Sequence, residues 1–134
     1  MKTLLVLEDE PSVMKLLCNM LKRYNVVEAT TAEEALMLFI DLNHDVDLLV
    51  ADLTLPRMSG IQVALLLRSK LPAVPVILTS GYPVAGWSHR DSADLARLGS
   101  HSVTVLQKPF QARALSRAVS DLIGNASSEM PATA

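Results

Sequence analysis

Short runs of apolar residues alternate along this chain with longer stretches in which apolar residues recur every three or four positions. The apolar runs cover 3–7, 26–29, 48–51, 74–78 and 103–106, and each predicts a strand. The stretches with helical spacing cover about 11–24, 31–39, 60–71, 94–98 and 112–123. Because a helix follows each strand, the pattern predicts an α/β domain whose five-stranded parallel sheet is covered on both faces.

Local signals indicate where the first two helices begin and which faces they bury. Pro11 suits the first position of a helix, where its missing N–H would have no partner anyway. Thr31 can cap the second helix while Glu34 reaches back to it. The predicted inner stripe of the first helix consists of Val13, Leu16, Leu17, Met20 and Leu21.

The third predicted helix carries more apolar residues than one buried face needs. Its inner stripe consists of Ile61, Ala64, Leu67 and Leu71. Leu65 and Leu66 fall on the solvent side of that stripe. They are either tolerated surface leucines or part of a surface for a partner protein or a homodimer.

The composition narrows the class of protein. Half of the 134 residues are hydrophobic, which is enough for one domain with its own core, and the net charge of −2 with scattered basic residues argues against nucleic-acid binding. The acidic run 8–10 argues against a signal peptide. No apolar run approaches the ~18 residues that a membrane helix needs. The single cysteine, Cys18, fits a reduced, cytoplasmic setting. We expect one domain over 1–124 and a disordered polar tail over 125–134.

Polar and charged residues follow four of the predicted strands. Glu8 and Asp9 follow the first strand, Asp52 the third, Thr79 the fourth and Lys108 the fifth. The carboxyl ends of parallel strands meet at one edge, so three carboxylates would crowd there against one lysine. Such a cluster calls for a hard divalent cation such as Mg²⁺, with Mn²⁺ as the alternative. A carboxylate in that setting can act as a nucleophile toward phosphorus and form an aspartyl-phosphate.

Each of these features has an ordinary explanation when it is taken alone. The run 8–10 could be a solvated stretch before a helix, where acids favour the helix dipole, and Asp52 could be a turn-former before Pro56. The turn 79–81 and Lys108 are unremarkable by themselves. Four such features at four strand ends favour a common site over four coincidences.

The same residues lie in segments that resemble the receiver domain of two-component response regulators, over about residues 2–124. The matching segments are 5–10, 52–60, 76–81 and 107–110. The resemblance implies a flavodoxin-like, doubly wound sheet of strand order 2-1-3-4-5.

The resemblance also implies a metal site and a phosphorylation site. Glu8 and Asp9 match the acidic pair that holds Mg²⁺, and Asp52 matches the phosphoacceptor, which is also a metal ligand. Thr54 matches the position whose backbone carbonyl completes the metal shell.

Further positions match the switch of the family or depart from it. Thr79 matches the hydroxyl that contacts the phosphoryl group, Lys108 the lysine beside it, and Pro109 a proline usually preceded by a cis bond. Val105 stands where the family usually has a rotating Tyr or Phe. The segment between Thr79 and Lys108 is also longer than usual, with the extra residues around 83–92.

The leading hypothesis is therefore a phosphoacceptor that receives its phosphoryl group from a sensor histidine kinase or a phosphotransfer protein. It would signal by contact with an unidentified downstream protein, with slow self-phosphorylation and self-dephosphorylation as its only turnover. The alternative is a receiver-fold scaffold that binds a partner without phosphorylation, which Val105 and the altered fourth-helix region favour. A phosphohydrolase would need an acid where Thr54 stands, and a flavin phosphate would be repelled by the run 8–10.

Overall fold

A computed structural model of the chain describes residues 1–124, which form five strands and five α-helices. The strands are β1 (Thr3–Leu7), β2 (Asn25–Ala29), β3 (Leu48–Asp52), β4 (Val76–Ser80) and β5 (Val103–Gln107). The helices are α1 (Pro11–Met20), α2 (Ala32–Asp41), α3 (Gly60–Lys70), α4 (His89–Leu98) and α5 (Ala112–Ile123). All strand pairs are parallel and the order is β2-β1-β3-β4-β5, which confirms the predicted flavodoxin-like α/β fold.

The core consists of two apolar layers, one on each face of the sheet. Alternate residues of β1 serve the two layers: Leu5 and Leu7 face α2, α3 and α4, while Leu4 and Val6 face α1 and α5. Because helices cover both faces, β3 and β4 are buried at every position, and their first residues, 48–51 and 76–78, read as continuous apolar runs. The carboxyl edge of the sheet is left as the place where polar side chains can gather.

The predicted inner face of α1 is wrong at one position. Leu16 is 53% exposed, and Met14 is buried instead. The helix ends at Met20 rather than near 24, and its buried positions continue from Met14 through Leu17 to Leu21. These residues lie three and four apart, and Leu16 stands about 100° away from Leu17 on the helix.

The predicted bounds of β4 and α4 also differ from the structure. β4 begins at Val76 rather than at 74, because Pro75 has no N–H to give to the ladder and the Val74 amide donates to the Leu71 carbonyl. α4 begins at His89 rather than near 94, with Ser88 as its cap. The Ser88 hydroxyl accepts from the Asp91 amide at 3.1 Å, a local signal that the apolar pattern does not carry.

The N-terminus of α2 confirms one half of the predicted capping arrangement. Thr31 Oγ1 accepts a hydrogen bond from the Glu34 amide at 3.1 Å. The Glu34 carboxylate does not return to Thr31 and accepts from the Thr30 amide at 2.7 Å. Both halves of a capping box are present at α3: the Ser59 hydroxyl accepts from the Gln62 amide, and the Gln62 side-chain oxygen accepts from the Ser59 amide.

Arg68 of α3 joins several segments at the amino edge of the sheet, opposite the carboxyl ends of the strands. Its guanidinium donates to the carbonyls of Val74 at 3.0 Å and Leu98 at 2.9 Å, and to those of His101 and Ser102 at 3.2 and 3.4 Å. One side chain thus joins α3, the chain before β4, the end of α4 and the chain before β5.

Two further predictions concern membrane-spanning helices and the C-terminal tail. None of the helices within residues 1–124 is long and apolar enough to cross a membrane. The predicted disordered tail, 125–134, lies outside the described residues.

Candidate functional site

Three predicted acidic residues meet at the carboxyl edge of the sheet. Glu8 directly follows β1 and Asp52 is the last residue of the neighbouring β3. One carboxylate oxygen from each of Glu8, Asp9 and Asp52 lies within 4.8 Å of the others. Glu8 and Asp52 are buried, and Asp9 is exposed toward the solvent. The structure therefore brings together the acids that the sequence placed on separate strands.

Lys108 reaches the same cluster from the end of β5. Its Nζ lies 3.1 Å from Glu8 Oε1 and 3.2 Å from Asp52 Oδ2. Its backbone amide donates to the Ser80 carbonyl at 2.7 Å, so the main chain itself fixes the lysine beside the sheet. The Lys108–Pro109 peptide bond is cis, as the resemblance implied.

The protonation of this cluster follows from burial and charge. Burial raises the pKa of Glu8, and the negative charge of Asp52 adds to that effect against the opposing hydrogen bonds from the Glu10 amide and Lys108. Burial alone would lower the pKa of Lys108, but its hydrogen bond to Glu8 and the charge of Asp52 raise it above the ordinary value. Lys108 therefore remains a cation.

The charges fit a divalent cation. Three carboxylates face one ammonium group, which leaves an excess of negative charge among oxygen ligands. Hard oxygen donors of this kind suit Mg²⁺, which uses few carboxylates and keeps places for water and phosphate oxygens. The donor set at this edge is therefore suited to Mg²⁺.

The loop after β3 holds Asp52 in place. The Thr54 amide donates to Asp52 Oδ1 at 3.3 Å, so each carboxylate oxygen of Asp52 accepts a hydrogen bond. Gly60, at the start of α3, lies against the backbone of Asp52, because a Cβ there would stand 2.3 Å from the Asp52 carbonyl oxygen. The sequence interpretation missed this requirement, although Gly60 ends the matching segment 52–60.

Thr79 lies beside Asp52 in the sheet. The two residues are partners in the β3–β4 register, and Thr79 is 1% exposed. Its hydroxyl oxygen is buried and has no hydrogen-bond partner within residues 1–124. Unpartnered buried hydroxyls are uncommon in proteins, and this one belongs to the residue paired with Asp52 across the sheet.

Three other singled-out residues lie away from the acidic cluster. Val105 pairs with Leu78 in the sheet and lines an apolar pocket of about 450 Å³ that opens to solvent between α4 and β5. Leu65 is half-buried and Leu66 is 44% exposed, and both line a groove between α3 and α4. Trp87 is buried in the irregular segment before α4.

A family model for the response regulator receiver domain matches residues 4–120. The chain belongs to the response regulator receiver domain family. This assignment agrees with the fold, the strand order and the collection of acids and lysine at the carboxyl edge of the receiver.

Sequence relatives of the receiver include regulators and a kinase. It is 32% identical over 111 residues to response regulator GtcR of Aneurinibacillus migulanus, which covers 81% of the chain and 42% of GtcR. It is 36% identical over 113 residues to the transcriptional regulatory protein KdpE of Mycobacterium tuberculosis, covering 82% of the chain and 46% of KdpE. Sensor kinase CckA of Brucella abortus matches 90% of the chain at 32% identity, and the receiver spans only 12% of that kinase.

Solved structures share the architecture. Response regulator TrrA of Thermotoga maritima, in complex with Mg²⁺-BeF, is 30% identical with a TM-score of 0.73, and the match covers 91% of this chain and 99% of TrrA. The receiver domain of the hybrid histidine kinase CckA is 28% identical with a TM-score of 0.73, covering 90% of this chain and 98% of that one. The receiver thus has relatives among both regulators and kinases.

Proposed function

We propose that this receiver acts in a two-component or phosphorelay system, with Asp52 accepting a phosphoryl group from the phosphohistidine of a sensor histidine kinase or a phosphotransfer protein. The observation that supports this most is the position of Asp52, whose side chain is 9% exposed in an acidic cluster, with Lys108 Nζ at 3.2 Å from Oδ2. A carboxylate oxygen forms the new P–O bond while the P–N bond of the donor breaks. The leaving imidazole keeps the electron pair and takes a proton from solvent.

The side chains around Asp52 have separate parts in this transfer. Lys108 supplies a positive charge where the phosphoryl oxygens would arrive, and its raised pKa keeps it protonated. The Thr79 hydroxyl would donate to one of those oxygens and gain the partner that it lacks. The Thr54 amide orients the carboxylate by holding Oδ1.

A divalent cation belongs to the proposed function. Glu8, Asp9, Asp52 and the Thr54 carbonyl would hold Mg²⁺, or Mn²⁺ in its place, and the cation would supply positive charge against the phosphoryl oxygens. With Thr54 standing two residues after Asp52, the chain has no acid there to activate water, so we infer slow self-phosphorylation and self-dephosphorylation rather than enzymatic turnover. The signal would pass by contact to a downstream protein.

The first test measures Asp52 directly. Acetyl phosphate with Mg²⁺ should add one phosphoryl group to the receiver, and the group should be released by hydroxylamine, as an acyl phosphate is. Asp52→Asn should abolish the labelling, and removal of the metal with EDTA should suppress it. Asp121→Asn, the same change at an exposed site on α5, is the matched control. Undiminished labelling of Asp52→Asn would contradict the assignment.

A phosphorylation-independent scaffold is the second candidate, and two observations favour it. Leu66 is 44% exposed beside the α3–α4 groove, and Val105 lacks the aromatic ring expected of a switch. A scaffold would bind its partner, or a second copy of itself, equally well with and without phosphodonor and Mg²⁺.

The scaffold function can be tested with one pair of variants. Leu66→Glu should weaken binding of a cognate kinase, a downstream protein or a second copy at least tenfold if the groove is a docking surface, because a charge replaces apolar contact. Met37→Glu, on the exposed side of α2, makes the same kind of change away from the groove and should bind normally. Affinity and light scattering unaffected by Leu66→Glu would exclude the groove.

A further inference from the structure

Trp87 is a buried residue within an exposed segment. Residues 81–86 and 88–90, on either side of it, are all exposed, whereas Trp87 is 8% exposed. The chain leaves β4 after Ser80, passes through a 3₁₀ turn over Val84–Gly86, turns the indole inward at Trp87 and then begins α4. The indole joins the apolar layer that α2, α3 and α4 share with the sheet.

Hydrogen bonds fasten Trp87 to the end of β4. Its Nε1–H donates to Ser80 Oγ at 3.2 Å and shares a second contact with the Tyr82 carbonyl at 3.3 Å. The Ser80 hydroxyl donates to that same carbonyl at 2.8 Å and accepts from the Tyr82 amide at 3.1 Å. The three residues therefore form one closed set of contacts between the strand and the segment before α4.

The hydroxyls of the neighbouring residues Thr79 and Ser80 differ in their hydrogen bonding. A hydroxyl has one hydrogen to donate and two lone pairs to accept with, and Ser80 uses all three within the set formed with Tyr82 and Trp87. Thr79 Oγ1 uses none within the described part of the chain. The Thr79 hydroxyl can therefore still bind a group that arrives at Asp52, whereas the Ser80 hydroxyl is already fully hydrogen-bonded to Tyr82 and Trp87.

A change at Asp52 could also reach α4 through β5, but the structure supports that route less well. Val105, opposite Leu78, has no aromatic ring, and together with Val84 and Leu95 it lines an apolar pocket of about 450 Å³ that is open to solvent. α4 packs mainly against α3 rather than against β5, so a displacement of β5 has few contacts through which to move the helix. The β4 side, by contrast, has both packing and hydrogen bonds to the segment before α4.

We propose that Trp87 is the positioning residue that couples the state of Asp52 to α4, in place of an aromatic residue at position 105. The inference rests on the proposed phosphorylation of Asp52. When Thr79 turns toward a phosphoryl oxygen, the end of β4 moves with it, and Ser80 carries the bound indole. α4 begins two residues after Trp87, so its first turn follows that movement.

The test separates the indole N–H from the aromatic packing. Trp87→Phe keeps a ring but removes the donor, and Ser80→Ala removes the oxygen that the donor binds. Hydrogen–deuterium exchange over 89–98 is measured with Mg²⁺ alone and with Mg²⁺ plus beryllofluoride, a stable phosphoryl mimic. In the wild type beryllofluoride should change the exchange of α4, and in both variants this change should be lost. Ser80→Thr, which retains a hydroxyl, should restore it.

A second readout and a control keep the result interpretable. Trp87 is the only tryptophan, so its emission should respond to beryllofluoride in the wild type and lose that response in Ser80→Ala. Ser69→Ala removes a hydroxyl that contacts the Leu66 carbonyl on α3 and should behave as wild type. If Trp87→Phe does not fold, the emission of Ser80→Ala decides the question.

The possible results distinguish this inference from the proposed function. Within residues 1–124, the side chains of Trp87 and Ser80 make no hydrogen bond to Glu8, Asp52 or Lys108, so acetyl phosphate should label both variants at Asp52 as it labels the wild type. A wild type without labelling would overturn the role of Asp52. Normal labelling together with an undiminished α4 response in both variants would overturn the role of Trp87 and leave that of Asp52 standing.

Discussion

At the scale of single residues, burial separates acids that look alike in the sequence. Glu8 and Glu10 are two residues apart, but Glu8 is 1% exposed and Glu10 is on the surface. Glu8 Oε2 accepts from the Glu10 amide at 3.0 Å and Oε1 accepts from Lys108. These contacts hold a carboxylate inside the sheet edge despite the cost of removing it from water.

The titration of Glu8 is a direct check on this arrangement. Because burial raises its pKa, Glu8 should take up its proton at a higher pH than the ordinary value of 4.5 in the metal-free receiver. The folded state then binds the proton more tightly than the unfolded state, so this group's contribution to stability falls as the pH rises through the raised pKa. Carboxyl-carbon NMR shifts measured against pH give the inflection.

Mg²⁺ supplies the control for that titration. A bound cation favours the charged carboxylate, so saturating Mg²⁺ should move the inflection of Glu8 to lower pH. A metal-free inflection at or below 4.5, or one that does not respond to Mg²⁺, would contradict the picture of a crowded, metal-binding cluster.

At the scale of helices and strands, the sequence predicts existence better than bounds. Apolar periodicity is enough to place α5, which begins at Ala112 and ends at Ile123 before Gly124, as expected. The start of α4 depends on the Ser88 cap, which apolar spacing does not show. The start of β4 depends on whether Pro75 can join the ladder. The hydrophobic pattern therefore does not predict the ends of helices and strands where individual hydrogen bonds determine them.

The candidate site shows the same division. Parallel strands are enough to predict that Glu8, Asp52 and Lys108 share an edge, and the structure brings their charged atoms into contact. The Trp87 contacts with Ser80 could not be predicted, because six residues without an apolar period separate the two and only the folded path turns the indole inward. Regular elements carry a periodic signal, and irregular segments carry none.

At the scale of the whole molecule, Arg68 joins segments that are distant in the sequence. Four of its N–H···O contacts reach carbonyls of the chain between 74 and 102, which no other described side chain of α3 does. Arg68→Lys should lower the free energy of unfolding by about 2–3 kcal/mol, because a lysine cannot reproduce the planar fork.

Urea unfolding followed by circular dichroism measures that loss. Arg113→Lys, an equivalent change at an exposed position of α5, should alter stability by less than about 0.5 kcal/mol. Equal stability of the two variants would mean that the four carbonyls find water or other partners when Arg68 is replaced.

The anchor at Arg68 also determines how α4 can move. The guanidinium donates to the Leu98 carbonyl at the C-terminal end of the helix. The N-terminal end follows Trp87, whose indole is bound to Ser80. Under the proposed coupling, α4 would pivot about Leu98: ten residues span about 15 Å, so a tilt of about 10° would move His89 by roughly 3 Å. A displacement that enters through Trp87 is therefore expected to be largest at the first turn of α4 and smallest at Leu98.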